Sequence, residues 1–178
     1  MRKITGRKLD NAAIGDPGLL AARLVDIQGV KKKYALGIIP HYVDKNSPLL
    51  SKIKIENARL IDIQQNPADF LAKIAECENV ISSAMHGLIA ADSLGIPNIR
   101  MILSDKIVGG DYKYDDYYSA FGIIKHAKID LRGIPAFDDL DFIRKSYRIR
   151  PEMVERICDA LSAVFPYKIR DKINEKTY

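Results

Sequence analysis

The 178-residue sequence predicts an α/β protein, a Rossmann-like layered parallel sheet. Three observations lead there: short apolar runs recur between segments of helical spacing, strand and helix alternate four times, and the links between them are short. Alternation with short links implies parallel strands joined by right-handed crossovers, with helices on both faces of the sheet. The length suffices for one domain with a full core, and 47% hydrophobic residues is ordinary for such a domain.

Tyr34 to Pro40, bounded by Lys31-Lys32-Lys33 and a proline, reads as a strand buried on both faces. Pro48 to Ile55 makes a short helix after a turn, and Arg59 to Ile63 is the second strand. Asn66-Pro67 supplies an N-cap followed by proline at the first helical position. Phe70, Leu71, Ile74 and Cys77 continue that helix at amphipathic spacing. Val80-Ile81 is a third, very short strand. A helix opens near Met85 and runs through Leu88 to Leu94, Ile99 to Leu103 is the fourth strand, and Ala127 to Leu131 adds a fifth. Pro151 to Leu161 is a terminal helix with Met153, Val154, Ile157 and Leu161 on one stripe. Residues 1–165 therefore read as one domain, with leading helices within 1–33, and 166–178 as a polar tail.

Composition narrows the function. Cys77 and Cys158 form neither a CxxC pair nor a cluster with the three histidines, which fits a reducing compartment. No segment approaches the roughly 20 apolar residues of a membrane span, so a soluble, cytoplasmic protein without a transmembrane segment is expected. The formal charge of +5 is dispersed, with a mild excess at Lys31-Lys32-Lys33 and in the last dozen residues. Without an aromatic-basic stacking motif it reads as a solvated surface, and no nucleic acid partner is expected. There is no Gly-rich phosphate loop, His/Cys metal cluster or Ser-His-Asp order, so neither metal nor cofactor is expected and a metal-free anion site remains.

In open parallel sheets ligands bind beyond the carboxyl ends of the strands. Three groups fall there: His41 after the first strand, Ser82 to Gly87 after the third, and Ser104-Asp105-Lys106 after the fourth. Ser82 or Ser83 caps the helix that opens near Met85, whose first-turn N–H groups and dipole favour an anion. Gly87 admits a ligand close to the backbone. His86 stands beside that anion as a clamp or proton donor; an isolated histidine would be read as bonding its own helix start, but two serines, a glycine and the strand-to-helix position favour a site. Lys106 reads equally as a cation meeting the same ligand or as a solvated loop lysine. His41 reads as a weaker rim candidate or a surface residue. Tyr112, Tyr114, Tyr117 and Tyr118 offer a stacking face for a sugar ring, with Tyr117 the candidate contact, or else pin a loop and short helix to the domain. Asp92, the sole charge within the helix, reads as its exposed residue.

These stretches, "ISSAMHGLIAADSLGIPN" and "SDKIVGGDYKYDDYYSAFGI", with "GDPGLL" at Gly15 to Leu20 and "LGIIPHYVD" at Leu36 to Asp44, resemble the polysaccharide pyruvyl transferase family over about residues 1–125. The resemblance implies one half of a glycosyltransferase B architecture and transfer of pyruvate from phosphoenolpyruvate to a saccharide as a ketal. His86, with Gly87, and Lys106 would then face phosphoenolpyruvate. The implied partners are this donor, a saccharide acceptor that is lipid-linked where the polymer grows at the inner membrane face, and a partner domain or second copy. The first twenty residues resemble the segment joining the family's two halves, so the expectation is a donor half that lacks most of the acceptor half and, alone, lacks transfer activity. A nucleotide-sugar-binding half of a glycosyltransferase and a non-catalytic binding module are the competing readings.

Overall fold

The computed structural model describes residues 12–25 and 29–164; the charged start at 1–11 and the tail expected at 166–178 lie outside the described residues. A 3-10 turn at Pro17–Leu20 runs into one helical turn, α1 (Ala21–Leu24). Five parallel strands follow: β1 (Leu36–Ile39), β2 (Ala58–Leu60), β3 (Val80–Ser82), β4 (Asn98–Ile102) and β5 (Lys128–Asp130). The longer helices are α2 (Pro67–Ala75), α3 (Met85–Ser93), α4 (Tyr112–Ser119), α5 (Leu140–Ser146) and α6 (Pro151–Val164).

The strand order is β2-β1-β3-β4-β5. The chain steps outward from β1 to β2, then returns across β1 to β3 and continues the other way. The order reverses between β1 and β3, and such a switch point opens a crevice outside the carboxyl ends of the two strands. His41 follows β1 and His86 follows β3, so the two histidines flank that crevice.

Each face of the sheet has its own core. Leu36, Ile38, Ile81, Ile99 and Met101 pack with Phe137 and with Ile143 of α5 on one side. Ile39, Ile61 and Val80 pack with Phe70, Leu71 and Ile74 of α2 on the other. α3 is enclosed: Ala90 and Ala91 join the sheet-side cluster, while Leu88 and Ile89 join an outer cluster with α4 and α6. A helix apolar all round belongs inside a protein, which explains the run Leu88 to Ala91.

All five expected strands are present, with ends moved by up to three residues, because ladder pairing decides where a run of apolar residues counts as strand. The helix expected at Pro48 to Ile55 is instead a 3-10 turn, Pro48–Lys52, ended where Ile53 bridges to Phe137. The short helix offered as one reading of the tyrosine segment is α4, whereas α5 was not legible. α4 is mostly Tyr and Asp, and α5 buries only Ile143.

α2 starts as the sequence predicts: Asn66 Oδ1 accepts the Ala68 N–H at 2.9 Å, with Pro67 at N1. Asn66→Ala should cost about 1 kcal/mol of stability. Urea unfolding should show a lower midpoint at unchanged slope; an unmoved midpoint would mean that the cap contributes nothing.

Candidate functional site

The side chains at the crevice are set by contacts between distant segments. His41 donates its backbone N–H to Ser83 Oγ at 2.9 Å, tying the end of β1 to the start of α3. Its ring lies 4.3 Å from that of Tyr42 and its Nδ1 accepts the Val43 N–H at 3.4 Å. With Nδ1 accepting, a neutral ring carries its proton on Nε2. Burial, then the positive charge of Lys113 and the neighbouring His86, hold the His41 pKa below the ordinary histidine value against the opposing pull of Asp44. His41 is thus an uncharged donor at neutral pH.

His86, the second residue of α3, is exposed. The helix has Ala84 as its N-cap and no side-chain cap, contrary to the expectation that Ser82 or Ser83 would supply one. Both serines are fully buried and already engaged. Ser82 Oγ lies 2.9 Å from the Ile39 carbonyl and 2.8 Å from that of Ala84, and accepts the Ala84 N–H at 3.0 Å. Ser83 Oγ holds His41. The serines build the junction rather than face a ligand, and they leave the Met85 and His86 N–H groups without acceptors among the described residues.

Gly87 is also corrected. A Cβ there would lie 2.4 Å from Ser82 Oγ and 3.0 Å from Ile39 Cγ2, so the glycine lets α3 approach the sheet and does not make room for a ligand. Its effect on the site is indirect: it fixes the height at which His86 leaves the helix.

Lys106 lies in the exposed loop after β4, at the same carboxyl edge, with no side-chain hydrogen bond among the described residues. Its backbone N–H donates to Ser104 Oγ at 3.2 Å, and the Ser104 hydroxyl donates to Asp44 Oδ1 at 2.7 Å, linking the edges of β1 and β4.

Arg100 and Lys113 are not singled out by the sequence; they meet on Tyr114, one of the tyrosines it offers for stacking or pinning. Tyr114 donates its hydroxyl to the Ser83 carbonyl at 2.9 Å, and its ring lies under the Arg100 guanidinium, 3.7 Å from the centroid. Arg100, on β4, is 6% exposed; Nη2 pairs with Asp111 at 2.7 Å while Nη1 has no partner among the described residues. Lys113 Nζ lies 5.2 Å from the same ring, and burial followed by the charge of Arg100 lowers its pKa. The available signal was an arginine inside the strand run Asn98 to Ile102, since a buried charge is rarely placed there without a role.

Tyr117 leaves the candidate site altogether. It is 5% exposed, and its hydroxyl donates to Asp92 Oδ2 at 2.7 Å. Tyr114, Tyr117 and Tyr118 pin α4 to the domain, in line with the second of the two readings, while Tyr112 is exposed. Asp92, expected to be exposed, is buried and also accepts from Asn98 Nδ2 at 2.6 Å. Cys77 and Cys158 are free and buried, and burial raises the Cys77 thiol to about 11.

Among the described residues no helix is long and apolar enough to cross a membrane. The family model "Polysaccharide pyruvyl transferase" matches residues 16–105, which include His41, His86 and Arg100 and stop just short of Lys106. An uncharacterised protein, L143, of Acanthamoeba polyphaga mimivirus is 37% identical over 123 residues, covering 66% of this chain and 42% of that protein. The succinoglycan biosynthesis protein ExoV of Rhizobium meliloti is 28% identical over 109 residues, covering 61% of this chain and 34% of ExoV. The matches thus span less than half the length of these curated relatives. The solved structure of the spinosyn rhamnosyltransferase SpnG superimposes with a TM-score of 0.35 at 18% identity, covering 83% of this chain and 43% of that one, too loosely to inform the site. With half of its length carried by the family model, and ExoV among its relatives, this chain belongs to the polysaccharide pyruvyl transferase family.

Proposed function

We propose that the domain binds phosphoenolpyruvate at the β1–β3 crevice and presents it for transfer of pyruvate to a saccharide, as a ketal, in the synthesis of an exopolysaccharide or cell-wall polymer. The observation that carries this reading is that His86 and Lys113 both lie within electrostatic reach of His41, beside the uncapped first turn of α3. The donor bears a phosphate and a carboxylate, and cations together with unpaired backbone N–H groups are what such anions need.

In this reading His86 delivers a proton to the methylene carbon of the donor, making the neighbouring carbon electrophilic. One acceptor hydroxyl adds to that carbon and a second displaces phosphate from it. Two new C–O bonds replace the C=C π bond and the C–O bond to phosphate. One hydroxyl proton restores His86 and the other leaves with phosphate, so the step balances. Lys113 and Lys106 offset the donor's charge, and His41 donates from Nε2. The reaction is placed in the cytoplasm, at the inner membrane face where the acceptor is lipid-linked.

Calorimetric titration with phosphoenolpyruvate, and separately with uridine and guanosine diphosphates, tests the reading. Binding of phosphoenolpyruvate in preference to both diphosphates is expected. Binding of a diphosphate with no response to phosphoenolpyruvate would replace this reading with that of a nucleotide-sugar site.

A further inference from the structure

We propose that the cavity at the carboxyl ends of β4 and β5 is a saccharide-binding pocket, in which Asp105, Asp130 and Arg132 hold ring hydroxyls. The cavity measures about 570 Å³ and is walled by Arg100, Tyr114, Ser104, Asp105 and the segment from Ile107 to Asp111 on one side and by Lys128, Asp130 and Arg132 on the other. That volume falls within the roughly 300–1,000 Å³ of small-molecule sites. Gly109 and Gly110 turn the segment with φ of +90° and +47°, the left-handed region that glycine enters at no steric cost.

The charges of the cavity decide what fits. Three cations face three carboxylates, and each is paired: Arg100 with Asp111 at 2.7 Å, Lys128 with Asp111 at 2.6 Å, and Arg132 with Asp105 at 2.6 Å and with Asp130 at 2.7 Å. Over the whole cavity the three cations are balanced by three carboxylates, so an anion gains less here than at the crevice beside Lys113. Alternating fixed donors and acceptors suit vicinal hydroxyls instead, because each hydroxyl donates to a carboxylate and accepts from a guanidinium or ammonium. The Asp105 side chain is 89% exposed and keeps acceptor capacity beyond its pairing with Arg132. Val108, 90% exposed on the same segment, offers apolar surface to the C–H face of a ring.

The pocket adjoins the crevice through two contacts already described, Ser104 with Asp44 and Tyr114 with Ser83. A saccharide held here lies along the same edge of the sheet as the proposed donor. Its role as acceptor rests on the functional reading above; its binding chemistry does not.

Saturation-transfer NMR of the full chain with methyl β-galactoside, methyl β-glucoside and methyl α-mannoside tests the pocket. Magnetisation transfer to ring protons of at least one glycoside is expected. The double variant Asp105→Asn, Arg132→Gln should weaken binding about tenfold or more, from the loss of charge-assisted hydrogen bonds, while phosphoenolpyruvate affinity stays unchanged. Should the double variant fail to fold, Asp105→Asn alone, at a side chain projecting into solvent, carries the comparison. Absence of transfer to all three glycosides, or transfer undiminished in the folded variant, overturns the proposal. So does displacement of a bound glycoside by inorganic phosphate, which would make the cavity an anion site. Glycoside binding without phosphoenolpyruvate binding would sink the donor reading and leave the pocket standing.

Discussion

Replacing Asp92 with asparagine is expected to abolish a loss of stability, on the order of 4 kcal/mol, that the unaltered chain undergoes as pH rises from about 4 to about 7. Asp92 is 1% exposed and directly follows the buried run Leu88 to Ala91 of α3. Burial pushes its carboxyl up to about 7, against the hydrogen bonds of Tyr117 and Asn98, which pull the other way. An acid whose folded pKa is raised keeps its proton in the folded state where the unfolded chain has lost it. Its contribution is therefore fully present below the ordinary carboxylate value and declines as pH rises to the folded one; above that, both states are ionised and the deficit is constant. An amide cannot ionise, so the slope from this position disappears. Urea midpoints at about pH 5 and about pH 8 for both chains provide the measurement, since every other titrating group is shared and cancels. Parallel behaviour of the two chains would mean that this carboxyl titrates in its ordinary range and that the Tyr117–Asp92–Asn98 contacts hold a charged group without cost.

Asp92 also marks where sequence reading stops. A lone charge in an apolar helix is normally the solvent-facing residue, and only the arrival of Tyr117 from α4 and Asn98 from β4 makes burial tolerable. Neither partner can be inferred from helical spacing. The same holds for Ser82 and Ser83, whose hydroxyls close on Ile39 and His41, more than forty positions earlier. Their residue types suggested a cap, while the parallel pairing of β1 with β3 turned them into internal fasteners. By contrast, the alternation of strands, the Asn66-Pro67 helix start and the placement of His41, His86 and Lys106 after separate strands depend on local pattern and topology, and were legible. Arg100 and Lys113 were not, because they meet Tyr114 only once α4 folds back over β4. The sequence motif thus points to the carboxyl edge where His41, His86 and Lys106 follow their strands, while the hydroxyls and the glycine of the serine-glycine segment serve the packing of that junction.

His86→Ala should weaken phosphoenolpyruvate binding roughly ten- to a hundredfold, the loss of a charge-assisted hydrogen bond of about 1.5–3 kcal/mol. The fold should survive, because the His86 side chain is exposed and makes no hydrogen bond among the described residues. Removing it leaves the Ser82 and Ser83 contacts and the close approach at Gly87 untouched. Calorimetric titration of the variant, with its urea midpoint as a control, separates binding from stability. Lys113→Ala should act in the same direction by removing a cation from the crevice, and it should also raise the His41 pKa, since the positive charge of Lys113 is one of the causes that lower it. An NMR titration of the His41 ring reads that second effect without any ligand. The two losses of affinity should fall short of additive when the variants are combined, as expected of groups that contact one ligand. If His86→Ala binds phosphoenolpyruvate as tightly as the unaltered chain while Lys113→Ala does not, the anion lies toward α4 and the proton donor must be sought there. If neither variant changes the affinity, phosphoenolpyruvate does not occupy the β1–β3 crevice, because no ligand bearing two anionic groups could sit beside that uncapped helix turn and remain indifferent to the loss of both neighbouring nitrogen donors.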